Sequence, residues 1–266
     1  SLKFDCTTAD ASPGSGDFLF LNQKVEGQNV QYLKKGTSSA ESTTLSFWVK
    51  SNKTGTYICE LDDNDNTRNI NKSYTISSAD TWEKKEITFA GDTTGAFGND
   101  NANSLQIIWW LGAGSNYTSG TLNNAWESTT NANRAVGQVN LADSTSNEWY
   151  VTGVQLEVGT AASDFEFLPH DVNLQRCQRY FYKKISTDPY GPLCQGMQIG
   201  GSDCMMQGYH PVKMRSSPSF SISGTWAVES GTTNATFALG TTRSNLFGWS
   251  NQQSISATDG SAAIIY

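Results

Sequence analysis

The sequence carries only two histidines, His170 and His210, among 266 residues. Imidazole-based triads and His-rich metal centres therefore have almost nothing to work with, and His210 sits at no common zinc spacing from Cys194 and Cys204. The five cysteines, Cys6, Cys59, Cys177, Cys194 and Cys204, show no paired C-x-x-C spacing. An odd, scattered set is a poor disulfide framework and a poor zinc site, and it reads as reduced thiols of a protein made in a cytoplasm. Charged residues are scarce at 16%, without the Ala/Glu/Lys/Leu richness of helical proteins. No apolar run approaches the roughly 18 residues needed to cross a bilayer. Residues 1–10 show no basic segment followed by an apolar stretch, the mark of a secretory signal. G-x-S-x-G, H-E-x-x-H, P-loop and dinucleotide fingerprints are all missing, so no enzyme class is indicated. An initiator Met is also missing, and the chain stops within strand-like residues 262–266, which reads as a piece of a longer polypeptide.

What remains is an acidic chain of net charge −7 with 11% aromatics and 24 glycines. Its charge repels phosphate backbones, which argues against nucleic acid as a partner. Alternation with a period of two is the dominant pattern. Leu45, Phe47 and Val49 share one face of residues 44–50, leaving Ser46, Trp48 and Lys50 on the other. Tyr57, Cys59 and Leu61 likewise oppose Thr56, Ile58 and Glu60, before the turn-rich run at 62–66. Residues 82–89 place Ile87 and Phe89 inward, and Val154, Leu156 and Val158 share a side of 149–158. Residues 105–111 are nearly continuously apolar, as suits a central strand covered on both faces. Long Gly/Asn/Thr/Ser connections separate these segments, the longest following Leu111. This is the layout of an antiparallel β-sandwich.

A seam falls at Phe165–Asp171, where Asp171 is placed to cap a short helix bearing Leu174, Cys177 and Phe181 at helical spacing. The expected organisation is all-β. A jelly-roll sandwich over residues 1–167 is followed by a smaller β-rich domain over 168–266 that mediates subunit contacts, with strand-like segments at 219–222, 235–239 and 262–266. Arg176, Arg179, Lys183 and Lys184, interleaved with Tyr180, Phe181 and Tyr182, suit a strand edge packed against a neighbour better than a nucleic-acid patch.

Several stretches, taken in order, carry a resemblance. They are Val25-Glu26-Gly27-Gln28-Asn29-Val30, Thr44-Leu45-Ser46-Phe47-Trp48-Val49-Lys50-Ser51, Thr81-Trp82-Glu83-Lys84-Lys85 and Gly153-Val154-Gln155-Leu156-Glu157-Val158-Gly159. Cys177-Gln178-Arg179-Tyr180-Phe181 and Pro211-Val212-Lys213-Met214-Arg215-Ser216-Ser217-Pro218 continue the series. The chain resembles tail-fibre-like structural proteins of tailed bacteriophages, and its first half is similar to a carbohydrate-binding-module jelly roll. The resemblance implies a non-enzymatic virion component, assembled in the host cytoplasm. It is expected to be a homotrimer that contacts other virion proteins and host surface glycans and does not insert into membranes. It implies no cofactor, although such jelly rolls often hold a structural calcium. A capsid decoration or head-fibre protein without glycan binding, and less readily a polysaccharide depolymerase, are the alternatives.

Sugars stack their C–H faces on aromatic rings and hydrogen-bond to amides and carboxylates. If the inward sets are as read, Trp48, Glu60, Gln106 and Trp110 all point outward and form one candidate glycan surface. The alternative is that a loop or neighbouring subunit covers Trp48 and Trp110. A second candidate is the long loop with Asn116, Tyr117, Asn123, Asn124, Trp126 and Arg134, in which Trp126 either meets ligand or anchors the loop. The acidic run at 62–66 lacks the glycine at position six and the Glu at position twelve of an EF-hand, and reads as a solvated hairpin turn.

Overall fold

The computed structural model describes residues 1–185, 194–199, 203–221, 227–230, 233–236, 241–254 and 262–265. The chain divides into two compact units, Ser1–Glu166 and Phe167–Tyr266.

The first unit is a β-sandwich. Its strands are β1 (Leu2–Asp5), β2 (Phe18–Glu26), β3 (Thr43–Ser51), β4 (Gly55–Asp63), β5 (Arg68–Ile76), β6 (Glu83–Phe89), β7 (Asn103–Ala113), β8 (Glu127–Ser128) and β9 (Glu148–Val158). One sheet runs β1-β9-β3-β6 and the other β2-β7-β4-β5-β8, all antiparallel. The pairings β1 with β9, β2 with β7, β3 with β6 and β4 with β5 are those of a long hairpin folded over on itself. That is the jelly roll.

The alternating sequence pattern explains the core. Leu45, Phe47 and Val49 from the four-stranded sheet meet Tyr57, Cys59, Leu61, Leu105, Ile107 and Trp109 from the five-stranded one. Phe47 bridges the layers, edge-on to Trp109 at 5.8 Å and to Tyr74 at 5.3 Å. Burial pushes the Cys59 thiol far above its ordinary value, which keeps it inert as a packing group. Leu156 joins this core, whereas Val154 and Val158, expected beside it, are exposed. Val158 ends its strand, and Val154 sits with Gly153 in a bulge opposite Phe47. Gly153 makes that bulge with φ +58°, and a Cβ there would lie 3.3 Å from Trp48 Cδ1. Only glycine meets both demands without strain.

Residues 114–140 fold back as a roof over the outer face of the five-stranded sheet, through the short helix α1 (Ser115–Thr118) and a turn at Asn131–Asn133. The roof is tied to itself by Gly120 N–H to Ala132 O and Ala135 N–H to Tyr117 O. It is stitched to the sheet by Val139 N–H to Thr56 O, Asn71 N–H to Asn123 O and Ile58 N–H to Gln138 Oε1. These bonds satisfy backbone groups on β4 and β5 that no strand partner reaches. Beneath the roof Ile58, Ile108, Trp110 and Ala135 form a second buried cluster, with Phe20, Tyr117 and Leu122 against it. β7 is thus covered on both faces, as its apolar run predicts.

The second unit begins with helix α2 (His170–Gln178). Its N-cap is Pro169, without a side-chain cap; Asp171 lies inside the first turn, where its charge suits the helix dipole rather than capping an N–H. Leu174, Cys177 and Phe181 are exposed, and residues 179–185 form no strand, contrary to the sequence expectation. A seven-stranded antiparallel sheet follows, ordered β13 (Thr233–Thr236), β12 (Ala227–Ser230), β16 (Ala262–Ile265), β10 (Cys194–Ile199), β11 (Asp203–Tyr209), β15 (Gly248–Ser254) and β14 (Thr241–Ser244). Residues 219–221 are not strand; the expected strand positions 222, 237–239 and 266 lie outside the described residues. Among the described residues no helix is long and apolar enough to cross a membrane.

Candidate functional site

The five-stranded sheet has an outer face built from alternate residues of three adjacent strands. Register places Asn22 of β2 against Ile108 of β7, which faces Glu60 of β4; Gln106 faces Lys24 and Asp62. Side chains two residues apart on one face are about 7 Å apart, so these groups form rows. Two such rows have different fates.

The inner row lies under the roof. Glu60 is fully buried; its carboxylate accepts from Trp110 Nε1 at 2.7 Å, Asn69 Nδ2 at 3.0 Å and Arg134 Nε at 2.9 Å. Burial pushes the Glu60 carboxyl above its ordinary value, and the Arg134 guanidinium and Trp110 N–H act against that push. Arg134 also stacks on Trp110, 5.3 Å from the ring centroid. These contacts hold the roof to the sheet and leave no free acceptor for a ligand.

The outer row, Lys24, Gln106 and Asp62, is open, and Asn22 reaches into it from the neighbouring row. Asn22 Nδ2 donates to Gln106 Oε1 at 2.8 Å, and Gln106 Nε2 donates to Asp62 Oδ2 at 3.1 Å. All three are half-exposed, with Lys24 exposed beside them. Burial also raises the Asp62 carboxyl, which Arg134 partly offsets. At one end stand three rings: Phe18, 53% exposed, stacks on Phe20 at 5.1 Å and meets Tyr117 edge-on at 5.6 Å. An amide–amide–carboxylate ladder beside rings suits a polyhydroxylated ligand.

The predicted surface of Trp48, Glu60, Gln106 and Trp110 is therefore not one surface. Glu60, Gln106 and Trp110 come together, but Glu60 and Trp110 are its buried base, because the roof returns over them. Trp48 projects from the other sheet. In the loop, Tyr117 joins the ring cluster and Asn116 is exposed nearby. Trp126 anchors the roof's far end: its Nε1 donates to Ala90 O, and Lys35 lies 5.2 Å over its ring.

Asn22 and Phe20 escaped sequence reading because β2 begins Phe-Leu-Phe-Leu, apolar on both faces, and alternation shows only from Asn22 onward. The turn at 62–66 also differs from its solvated reading. Asp63 is fully buried and accepts from Lys35, whose ammonium also donates to Thr94 O and Gly95 O at 2.8 Å each and lies 3.1 Å from Asp92 Oδ2. Arg68 completes the network on Asp92. This ammonium, ringed by four oxygens, occupies the kind of place a structural cation takes. Among the described residues no cluster of three or more His, Cys, Asp or Glu is arranged to hold a metal ion.

Fold and surface together define a jelly-roll sandwich with one roofed outer face and a ladder of polar groups along the roof's edge. No protein-family model and no curated protein matches the chain.

Proposed function

We propose that the chain is a non-enzymatic structural module of a bacteriophage virion, from a tail fibre or similar appendage, whose sandwich unit holds a host surface glycan. The virion assignment rests on the ordered sequence resemblance. The glycan reading rests on one observation: the half-exposed ladder Asn22–Gln106–Asp62 lying beside Phe18, Phe20 and Tyr117. Its hydrogen-bonding groups are held in place by one another, so a ligand's hydroxyls meet pre-ordered partners. In this reading the chain assembles as a trimer, contacts other virion proteins and works without a cofactor. A structural calcium is not needed at the cluster where Lys35 supplies the positive charge.

Cleavage is the competing reading, since Glu60 and Asp62 are two carboxylates about 7 Å apart on one strand face. Glu60 is fully buried and held by three donors. It reaches no substrate, and this favours binding over hydrolysis.

The test is a glycan array probed with the purified chain and its Asp62→Ala and Gln106→Ala variants, with assembly followed by light scattering. A neutral glycan whose affinity drops about tenfold in each variant, with assembly intact, is the expected result. A folded chain that binds no neutral glycan, or binds one equally well in all three forms, overturns it.

A further inference from the structure

The outer face of the four-stranded sheet is covered only at one end, where residues 159–166 fold back over Thr44 and Ser46 through bonds from Gln155 to Ser163, Ser163 to Glu157 and Glu166 to Gln155. Trp48 on β3 is 43% exposed and Trp82, just before β6, is 37% exposed. Register explains why they gather with Tyr150. Trp48 faces Thr152 of β9 and Lys84 of β6, while Lys50, two residues on, faces Tyr150; Val49 pairs with Glu83, which brings the preceding Trp82 beside Lys50. Trp82 and Tyr150 meet edge-on at 6.2 Å.

Lys50 lies between these rings, its Nζ 4.5 Å from the Tyr150 centroid and 5.7 Å from that of Trp82. The other cations on this face are neutralised. Lys3 pairs with Glu148 and Asp5, and Lys84 with Glu86. Glu148, the carboxylate nearest in charge to Lys50, is committed to Lys3 and the Tyr150 hydroxyl. Among the described residues Lys50 has its two ring contacts and the longer-range charge of Glu148, and no hydrogen bond. Rings attract an ammonium but accept no strong hydrogen bond, so its three donors keep their capacity for an anion.

We infer that this face is a second binding surface, for an acidic saccharide: a sugar ring stacks on Trp48 or Trp82 while its carboxylate meets the Lys50 ammonium. The aromatic contact suits any pyranose; the ammonium selects the charged one, through a charge-assisted hydrogen bond that a neutral sugar lacks. Lys50 is pre-ordered by its rings, which reduces the side-chain ordering that binding otherwise costs. Thr152, Lys84 and Glu86 give the patch a polar surround, unlike an apolar docking face. Burial against a second copy would leave the ammonium unpaired unless a new acceptor came with it. The surface is separate from the Asn22–Gln106–Asp62 ladder and does not rest on it.

Calorimetric titration of the full chain decides this, using trigalacturonate and sialyllactose as probes, with methyl-esterified trigalacturonate and lactose as their neutral counterparts. At least one acidic probe is expected to bind about tenfold more tightly than its neutral form, and to weaken as salt is raised. Lys50→Gln, at a half-buried position, should remove that preference, whereas Trp48→Ala, at an exposed one, should weaken the acidic and the neutral form alike. Asp62→Ala should leave the preference unchanged. Equal binding of acidic and neutral forms, binding of neither acid, or an unaltered preference in Lys50→Gln overturns the inference. So does concentration-dependent self-association that Trp48→Ala abolishes, since the face would then be an interface between copies.

Discussion

Trp110 and Trp48 both point away from the core of the same sandwich, yet Trp110 is fully buried and Trp48 is 43% exposed. The strands beneath them differ little. The difference lies in segments distant in sequence: residues 114–140 return over the whole of one outer row, whereas on the other sheet residues 159–166 cover Thr44 and Ser46 and stop short of Trp48. Outward orientation on a strand is a local property, while exposure belongs to whatever the rest of the chain places overhead. The roofed face uses its polar groups on itself, as in Glu60 with Arg134, and keeps only the row at the roof's edge for solvent. The partly covered face leaves its rings and one ammonium available at its open end.

The sharpest way to break this contrast is to unlock the roof. Arg134→Met leaves Glu60 buried without its charged partner and should cost about 3–5 kcal/mol in chemical denaturation. A loss below about 1 kcal/mol would mean the roof is held chiefly by apolar packing.

The same substitution on the two faces gives the next largest effect. Trp110→Ala opens a cavity beneath the roof and should cost about 3–5 kcal/mol. Trp48→Ala, at the matching outward position of the other sheet, should stay within about 1 kcal/mol. Equal costs would show that something covers Trp48 in solution.

A smaller, pH-dependent effect concerns the roof's far end, where Arg68 bonds both Asp92 and the carbonyl of Trp126. Burial would raise the Asp92 carboxyl, but hydrogen bonds from Arg68, the Thr94 N–H and Lys35 outweigh it and hold the group below its ordinary value. A carboxyl lowered in the folded state stabilises above its unfolded pKa of about 4 and loses that contribution as pH falls through the lower folded value. Asp92→Asn should therefore lower stability by about 1–3 kcal/mol at neutral pH and flatten the acid limb of the stability curve. Amide exchange in residues 123–129 should quicken with it. An acid limb identical to that of the unsubstituted chain would place the relevant carboxylate elsewhere.

Much of the sandwich was legible because a strand's two faces are set by a period of two. Leu45, Phe47, Val49, Tyr57, Cys59, Leu61, Ile87 and Phe89 are all buried as their alternation requires. The candidate site was only partly legible. Gln106 and Tyr117 were visible as polar and aromatic residues in the right segments. Asn22 was hidden in a strand that starts apolar on both faces, and Asp62 in a run that resembles a solvated turn. Asp63, one residue on, became a buried anchor because Lys35, 28 positions earlier, reaches it.

The amino-acid sequence alone determined which residues each strand turns inward, since that follows from backbone geometry within a few residues. Tertiary structure alone decided which outward residues meet solvent. Covering Glu60 and Trp110, pairing Lys35 with Asp63 and leaving Lys50 between two rings all depend on segments tens of residues apart. Their meeting is settled by the packing of the whole sandwich, not by any local pattern.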